Sequence, residues 1–530
     1  MTSTHSLSQQ VLLNPVELGL FASRLAAVCD EMGAVLQRSA FSPNIKDRLD
    51  FSCAVFDAGG GLCAQAAHIP VHLGSMAYAM ASIVDACEWQ AGDMVVVNDP
   101  YLGGTHLPDV TVIAPVFQNK QLIAFVANRA HHANIGAASP GSMPISSSLE
   151  GEGIIIAPTH LMRAGVLDEA FMGVLKDTIG EGDFVAQISA NRMGGERLAK
   201  LLDNLGVARY QSAVVQLNDY GERMAKAELA TIPNGEYRFD DVMDDDGLGG
   251  ENIPIRLLLT VGDESITADF SGTAQQVAGN INCPLSVAAA AVFYVFRCLM
   301  PEQLPACAGI FRPIKLLAPE GCLLNARRPA AVAAGNVETS TRIVDVVLGA
   351  LAQALPERIP AASHGSMNNV AMGAATCSQL PAWDYYETIG GGMGAGARGA
   401  GLNGVQTHMT NTLNSPVESL EMHYPLRVNR YSLRQGTGGN GDHVGGDGLL
   451  REFEFLAPAT VTLLTERRHH QPWGLNGAGA GAVGENRLNG LLVNAKCELS
   501  VGRGDKVSIA SAGGGGWSAS DAKCGDTKNS

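Results

Sequence analysis

The segment from Asn98 to Gly136, NDPYLGGTHLPDVTVIAPVFQNKQLIAFVANRAHHANIG, constrains the fold more than any other stretch of this 530-residue chain. Two β-rich runs, Thr111–Phe117 and Gln121–Ala127, flank the polar turn Gln118-Asn119-Lys120, the pattern of an antiparallel hairpin. With Phe117 opposite Gln121, the register carries His131 back opposite Leu107, so its imidazole falls between His106 and Asp109. A slip of one residue would turn His132 inward instead, because side chains alternate faces along a strand.

His106, Asp109 and His131 then form a mixed nitrogen and oxygen set. Neutral imidazoles and a carboxylate suit zinc, manganese or iron(II) and leave a position for water. The plainer alternative is that they are loop residues hydrogen-bonded to backbone at a hairpin end. It is weakened by the second histidine pair, His131-His132, in the matched strand end.

Composition narrows the function classes. The net charge of −16 and pI near 5.2 provide no basic patch for phosphate backbones, so neither nucleic acid nor an anionic membrane surface is an expected partner. Eleven cysteines without a Cys-x-x-Cys pair fit free thiols in a reduced cytoplasm. The most apolar segment, Pro284–Met300, is short and interrupted by Arg297, so a soluble cytoplasmic chain is expected. The 62 glycines and only 17% charged residues point to tight turns and much buried interface.

Along the chain, Asn14-Pro15-Val16-Glu17 opens an amphipathic helix with a capping signal. FSCAVFD and the run after Gly60-Gly61 form a further hairpin, whose surroundings supply Asp47, Asp50, His68 and His72. A short buried strand, MVVVND, delivers Asn98 and Asp99. The turn-rich line from Ala137 to Gly153 carries Glu150 and Glu152, site carboxylates or solvated loop acids. Residues 183–205 and 207–232 read as a helical hairpin broken at Gly206. Strands follow, with Asp244-Asp245-Asp246 as a solvated turn. Leu285–Met300 and Ser340–Leu355 read as helices, Arg312–Leu324 as extended, and GNVETS (Gly335–Ser340) as a loop. From Tyr424 the sequence is β-rich, and its tail after Trp517 is polar. The expected architecture is α+β and multidomain: mixed and antiparallel sheets with flanking helices, divided into residues 1–235, 236–422 and 423–530.

Two motifs carry nothing. The Gly-x-Gly-x-x-Gly match at Gly394–Gly399 lacks a following helix, and no P-loop exists. The His469-His470 pair beside Arg467 and Arg468 reads as a hairpin turn before it reads as a metal or phosphate contact.

At SPNIKDRLDFSCAVFD, HIPVHLGSM, NDPYLGGTHLPDV and NRAHHANIG the chain resembles the hydantoinase B/oxoprolinase family. The likeness runs on through DFSGTAQQVAGNINCPLS, ASHGSMNN, YYETIGGGMGA, HMTNTLNSPVESLE and ERRHHQPWGLNG. The resemblance implies the B-type subunit of an ATP-dependent cyclic-amide hydrolase. An A-type subunit of actin-like fold would use ATP and magnesium to phosphorylate the carbonyl oxygen of a hydantoin, 5-oxoproline or lactam. It implies a divalent metal on Asp50, His106, Asp109 and His131, with Asp47 as second choice for the first ligand. His132, Glu150 or Glu152 would protonate the leaving nitrogen, and His68, His72, Asn98 and Asp99 would orient ligands or substrate. An α2β2 heterotetramer is the implied assembly. The other classes are a carboxylase of the acetone or acetophenone type and a non-catalytic structural partner.

Overall fold

A computed structural model describes residues 12–66, 69–176, 181–376 and 381–518. Its first sheet has seven strands in the order β2-β1-β5-β4-β3-β6-β7. They are β1 (Phe51–Asp57), β2 (Leu62–Ala66), β3 (Met94–Val97), β4 (Asp109–Gln118), β5 (Gln121–His131), β6 (Thr159–Arg163) and β7 (Val166–Leu167), and every pairing is antiparallel.

Helix α1 (Pro15–Ser39) begins as its capping box predicts, Asn14 Oδ1 accepting from Glu17 N at 2.9 Å and Glu17 Oε2 from Asn14 N at 3.0 Å. It buries Phe21, Leu25, Val28, Met32 and Leu36. A single turn, α2 (Pro43–Lys46), leads into β1, and α3 (Pro70–Asp85) follows β2. After α4 (Glu169–Lys176) comes the expected helical hairpin, α5 (Gly182–Leu205) and α6 (Val207–Leu229). Helix α5 lies on β4 and β5, with Gln187 Nε2 on Val110 O (2.8 Å) and Asn191 Nδ2 on Val112 O (2.9 Å).

The central hairpin departs from the expected register. Its turn has two residues, Asn119 and Lys120, with φ of 50° and 67°, the left-handed pair that matches strand twist. Gln118 therefore faces Gln121, and a bulge between Val116 and Phe117 adds one more step, so Asp109 rather than Leu107 lies opposite His131. Two residues of offset preserve the face, which is why the expected ligands still meet.

A second sheet holds β8 (Gly235–Asp245), β9 (Glu251–Val261), β10 (Ile266–Asp269) and β11 (Ile314–Leu317), with β10 and β11 parallel. Of the run expected to be extended at 312–324, only β11 is strand. Helices α7 (Leu285–Leu299) and α8 (Ser340–Ala354) match expectation. The loop expected at Gly335–Ser340 is instead a π-helical turn, Gly335–Thr339, running straight into α8. The acidic run is also not solvated: Asp244 and Asp246 are buried, and Asp244 accepts from the backbone of Arg468, His469 and His470.

The third sheet orders Trp383–Glu387, Asn369–Ala374, Ala459–Leu464 and Lys496–Val501, drawing strands from both sides of residue 422. The fourth contains Leu426–Arg434, Gly448–Phe455, Lys506–Ala510, Glu485–Leu488 and Leu491–Val493. The multidomain α+β class stands. Among the described residues no helix is long and apolar enough to cross a membrane. The tail from residue 519 lies outside them.

Candidate metal centre

Three ligand-bearing side chains converge at the open end of the β4–β5 hairpin. Asp109 opens β4, His131 closes β5 directly opposite, and His106 precedes β4 in a turn closed by Asp109 N on His106 O at 3.1 Å. One ligand atom from each lies within 4.8 Å of the other two, and all three residues are buried. Asp109 Oδ1 stands 3.3 Å from His106 Nε2 and 3.5 Å from His131 Nδ1. Asp50 stands at the rim, its Oδ2 3.8 Å from His131 Nδ1 and 3.8 Å from Arg48 Nη2. Asp47, the second choice, caps α2 and is half-buried near Tyr424 rather than at this site.

The other Asp109 oxygen is held firmly. Oδ2 accepts from Thr105 Oγ1 at 2.5 Å, from His72 Nε2 at 3.3 Å and from Asn336 Nδ2 at 3.5 Å. A carboxylate only accepts, so His72 donates from Nε2, while its Nδ1 stands 3.1 Å from Ser52 Oγ. Asn336 arrives on the π-helical turn, whose Gly335 passes so close to Asn282 that a Cβ would stand 1.8 Å from its carbonyl oxygen.

Proton placement tests whether a cation fits. His106 Nδ1 lies 3.4 Å from Ala333 O, which can only accept, so Nδ1 carries a proton and Nε2 is turned toward Asp109 Oδ1. Neither His106 Nε2 nor His131 Nε2 has a hydrogen-bond partner, although both are buried. His106 Nε2 stands 3.3 Å from an Asp109 oxygen, and a lone pair beside a carboxylate oxygen in a dry site is repulsive unless positive charge lies between them. The donor set, two imidazole nitrogens and a carboxylate oxygen with Asp50 in reserve, fits a divalent transition metal.

The local field favours positive charge at this point. Burial works to raise the Asp109 carboxyl, but the attraction of His106 and His72 holds it well below the usual carboxylate range. Burial pulls His106 down, yet the charge of Asp109 carries it above its ordinary value. His131 is lowered, chiefly by burial.

The remaining expected residues are placed differently. His132 faces the opposite side of the sheet, where Nε2 meets Gln187 Oε1 at 3.0 Å and its ring lies on Phe184, so alternation removes it from the site. Glu150 is exposed. Glu152 is buried, but its oxygens accept from Ser146 Oγ, Val332 N and Ala333 N, which secures the segment that in turn holds His106. Asn98 ties Leu107 O, Ile154 O and Ile156 N together. Asp99 pairs with Arg328 and caps the turn at Pro100. His68 lies outside the described residues. His470 pairs with Asp244 at 2.8 Å, so the 469–470 pair belongs to an ion-pair network.

Sequence reasoning missed Thr105, Asn336, Arg48 and Tyr386. Only Thr105, one residue before His106, carried a local signal. A surface groove of about 1260 Å³ between α1, α6 and the β2 edge does not include these residues; the charge arrangement marks the site.

The chain is similar to known proteins over nearly its whole length. An uncharacterized protein of Methanocaldococcus jannaschii is 38% identical, over 95% of this chain and 91% of its own. Arabidopsis thaliana 5-oxoprolinase 1 is also 38% identical, over 97% of this chain, which spans only 42% of that longer protein. The crystal structure of the ATP-dependent caprolactamase from Pseudomonas jessenii superposes with a TM-score of 0.88 at 26% identity, covering 96% of this chain and 91% of that one. A nucleotide-free acetone carboxylase shares the fold, with a TM-score of 0.86 at 17% identity over 95% and 76% of the two chains. The hydantoinase B/oxoprolinase family profile matches residues 14–520, and the chain belongs to that family.

Proposed function

We propose that this chain is the B-type subunit of an ATP-dependent cyclic-amide hydrolase, opening the ring of a hydantoin, 5-oxoproline or lactam. The observation that carries the proposal is the buried His106–Asp109–His131 set with unpartnered imidazole nitrogens, in a chain similar to a 5-oxoprolinase and a caprolactamase.

His106, Asp109 and His131 would hold a divalent metal, with Asp50 able to complete the set. When bound, such an ion supplies a water of lowered pKa and polarises a carbonyl. The chain's own residues do the rest. Thr105, His72 and Asn336 hold Asp109 by the oxygen that does not face the histidines, so its other oxygen stays aimed. Burial of all three ligands excludes bulk water from the reacting carbon.

An amide carbon is a weak electrophile, and this chain has no P-loop to activate it. We assign activation to an A-type partner of actin-like fold that uses ATP and magnesium to phosphorylate the carbonyl oxygen. One water adds to the activated carbon and the ring C–N bond breaks as the nitrogen takes a proton, leaving an acyl phosphate; a second water then displaces phosphate from that carbon and leaves the carboxylate. The greater length of Arabidopsis 5-oxoprolinase 1, more than half of it without counterpart here, supports a separate partner, and an α2β2 assembly in the cytoplasm is the arrangement proposed.

The test is to purify the chain with its A-type partner and measure ADP and ring-opened product from hydantoin, 5-oxoproline and caprolactam. Wild type should turn over at least one of them with ATP, and Asp109→Asn should not. Incorporation of labelled bicarbonate into product without ring opening would overturn the hydrolase in favour of a carboxylase.

A further inference from the structure

The two metal-facing histidines are not held alike. A ligating imidazole is ordinarily oriented by a hydrogen bond from its other nitrogen. His106 has that bond, Nδ1 to Ala333 O. His131 does not: with Nδ1 turned toward Asp109 and Asp50, its Nε2 is buried without a partner.

In place of a hydrogen bond His131 has an aromatic face. The Tyr386 ring lies parallel to it, 2° between planes and 4.9 Å between centroids. Tyr386 comes from the third sheet, on the strand Trp383–Glu387, and is itself immobilised on three sides. Its hydroxyl donates to Asn369 Oδ1 at 2.6 Å, and Asn369 Nδ2 donates to Glu338 Oε1 at 2.7 Å and Leu464 O at 2.9 Å. The Arg48 guanidinium covers the ring at 4.8 Å and donates Nη1 to Tyr386 O at 3.0 Å. The same guanidinium approaches Asp50.

We propose that Tyr386 is a positioning residue of the metal centre, whose stacked ring fixes the plane of His131 in the place of the missing hydrogen bond. The proposal rests on the metal-centre reading above. It assigns the ring face, not the hydroxyl, as the operative part, because the hydroxyl points to Asn369 and away from His131. It also makes the third sheet part of the site, since the orientation of a first-sheet ligand is set from there.

The experiment compares wild type with Tyr386→Phe, Tyr386→Leu and Tyr386→Met, each loaded with cobalt(II) and with zinc and checked for folding by circular dichroism. Methionine serves beside leucine because its flexible thioether fills an irregular gap. The readouts are the rate of metal loss to excess chelator and the visible absorption bands of the cobalt form, which respond to ligand geometry and not to global stability. Phe should keep both within about threefold of wild type. Leu and Met should lose metal about 10- to 100-fold faster, the range for removing an outer partner of a ligand, and should shift the cobalt bands. A folded Leu or Met variant with wild-type metal loss and bands overturns the proposal. So does a Phe variant as impaired as Leu, since the hydroxyl tether would then be what matters. A wild-type chain that takes up neither metal overturns the metal-centre reading and this proposal with it.

Discussion

Two of the buried polar clusters in this molecule are built on opposite principles. Behind α8, Arg467 Nη2 bridges Asp241 (2.8 Å) and Asp345 (2.7 Å), Arg342 reaches Glu466 at 3.2 Å, and Lys496 reaches the same carboxylate at 2.6 Å. Each carboxylate there meets a cation supplied by the chain. At the metal centre Asp109 meets imidazoles, a hydroxyl and an amide but, among the described residues, pairs with no arginine or lysine, and His106 Nε2 and His131 Nε2 have no hydrogen-bond partner. Both clusters carry the cost of desolvating charge, but only the first is internally compensated. A closed ledger of charge marks a brace, and an open one marks a place where something must arrive from outside.

The contrast is broken most directly at Asp109. Asp109→Asn should weaken metal retention by more than about 100-fold, beyond what losing an outer partner costs, and abolish ATP-dependent ring opening, as metal analysis and product assay would show. Arg467→Met should do the reverse. Leaving Asp345 buried without its arginine, and Asp241 with Arg342 alone, should cost about 3–5 kcal/mol in denaturant unfolding, while each folded chain still takes up its metal.

A pH effect distinguishes a third kind of buried charge. Burial raises the Glu152 carboxyl to about 7 despite hydrogen bonds from Ala333 N, Ser146 and Val332 N. Folded protein therefore keeps this proton after the unfolded chain, titrating near 4.5, has lost it. Stability should fall as pH rises from about 4.5 to about 7 and level off above, by about 3 kcal/mol. Glu152→Gln should remove that slope from the difference between the two unfolding curves. Stripping metal with chelator should lower stability by about 2.7 kcal/mol where free metal had stood at 100 times its dissociation constant, and re-addition should restore it. The smallest effect belongs to His132. Losing its bond to Gln187 in His132→Asn should cost about 1 kcal/mol with metal stoichiometry unchanged, whereas a vacated metal site in that variant would mean the face assignment is inverted.

The site was partly legible before any coordinates. His-x-x-Asp ahead of one strand and His-His at the end of its partner named the ligands, because spacing and alternation are local properties. The register was misplaced by two residues, one because Asn119 and Lys120 alone make the turn and one because the bulge between Val116 and Phe117 has no signature in PVFQNKQL. The choice between His131 and His132 needed that register. Asn336 was hidden because GNVETS, with its glycine and polar residues, resembles a loop, and the π-helical turn depends on the close passage of Asn282. Tyr386 was hidden for another reason: nothing in YYETIGGG states that a strand of the third sheet ends against a histidine of the first. The helical hairpin at 182–229 was read correctly from periodicity, and the strand content of the C-terminal third from its alternation.

The two-residue turn and the bulge of the central hairpin act together as a phase setting. Along a strand only parity matters to which side a residue faces, so the hairpin behaves like a counter with two states. Lengthening or shortening one arm by two residues returns His131 to the same face at a new height, whereas a change of one hands that face to His132. An insertion of one residue is tolerated only where a second bulge absorbs it. Natural variation in this hairpin should therefore come in even steps or in compensated odd ones, and an engineered deletion of a single residue between Thr111 and Ala130 would exchange a metal-facing imidazole for one that now lies on Phe184.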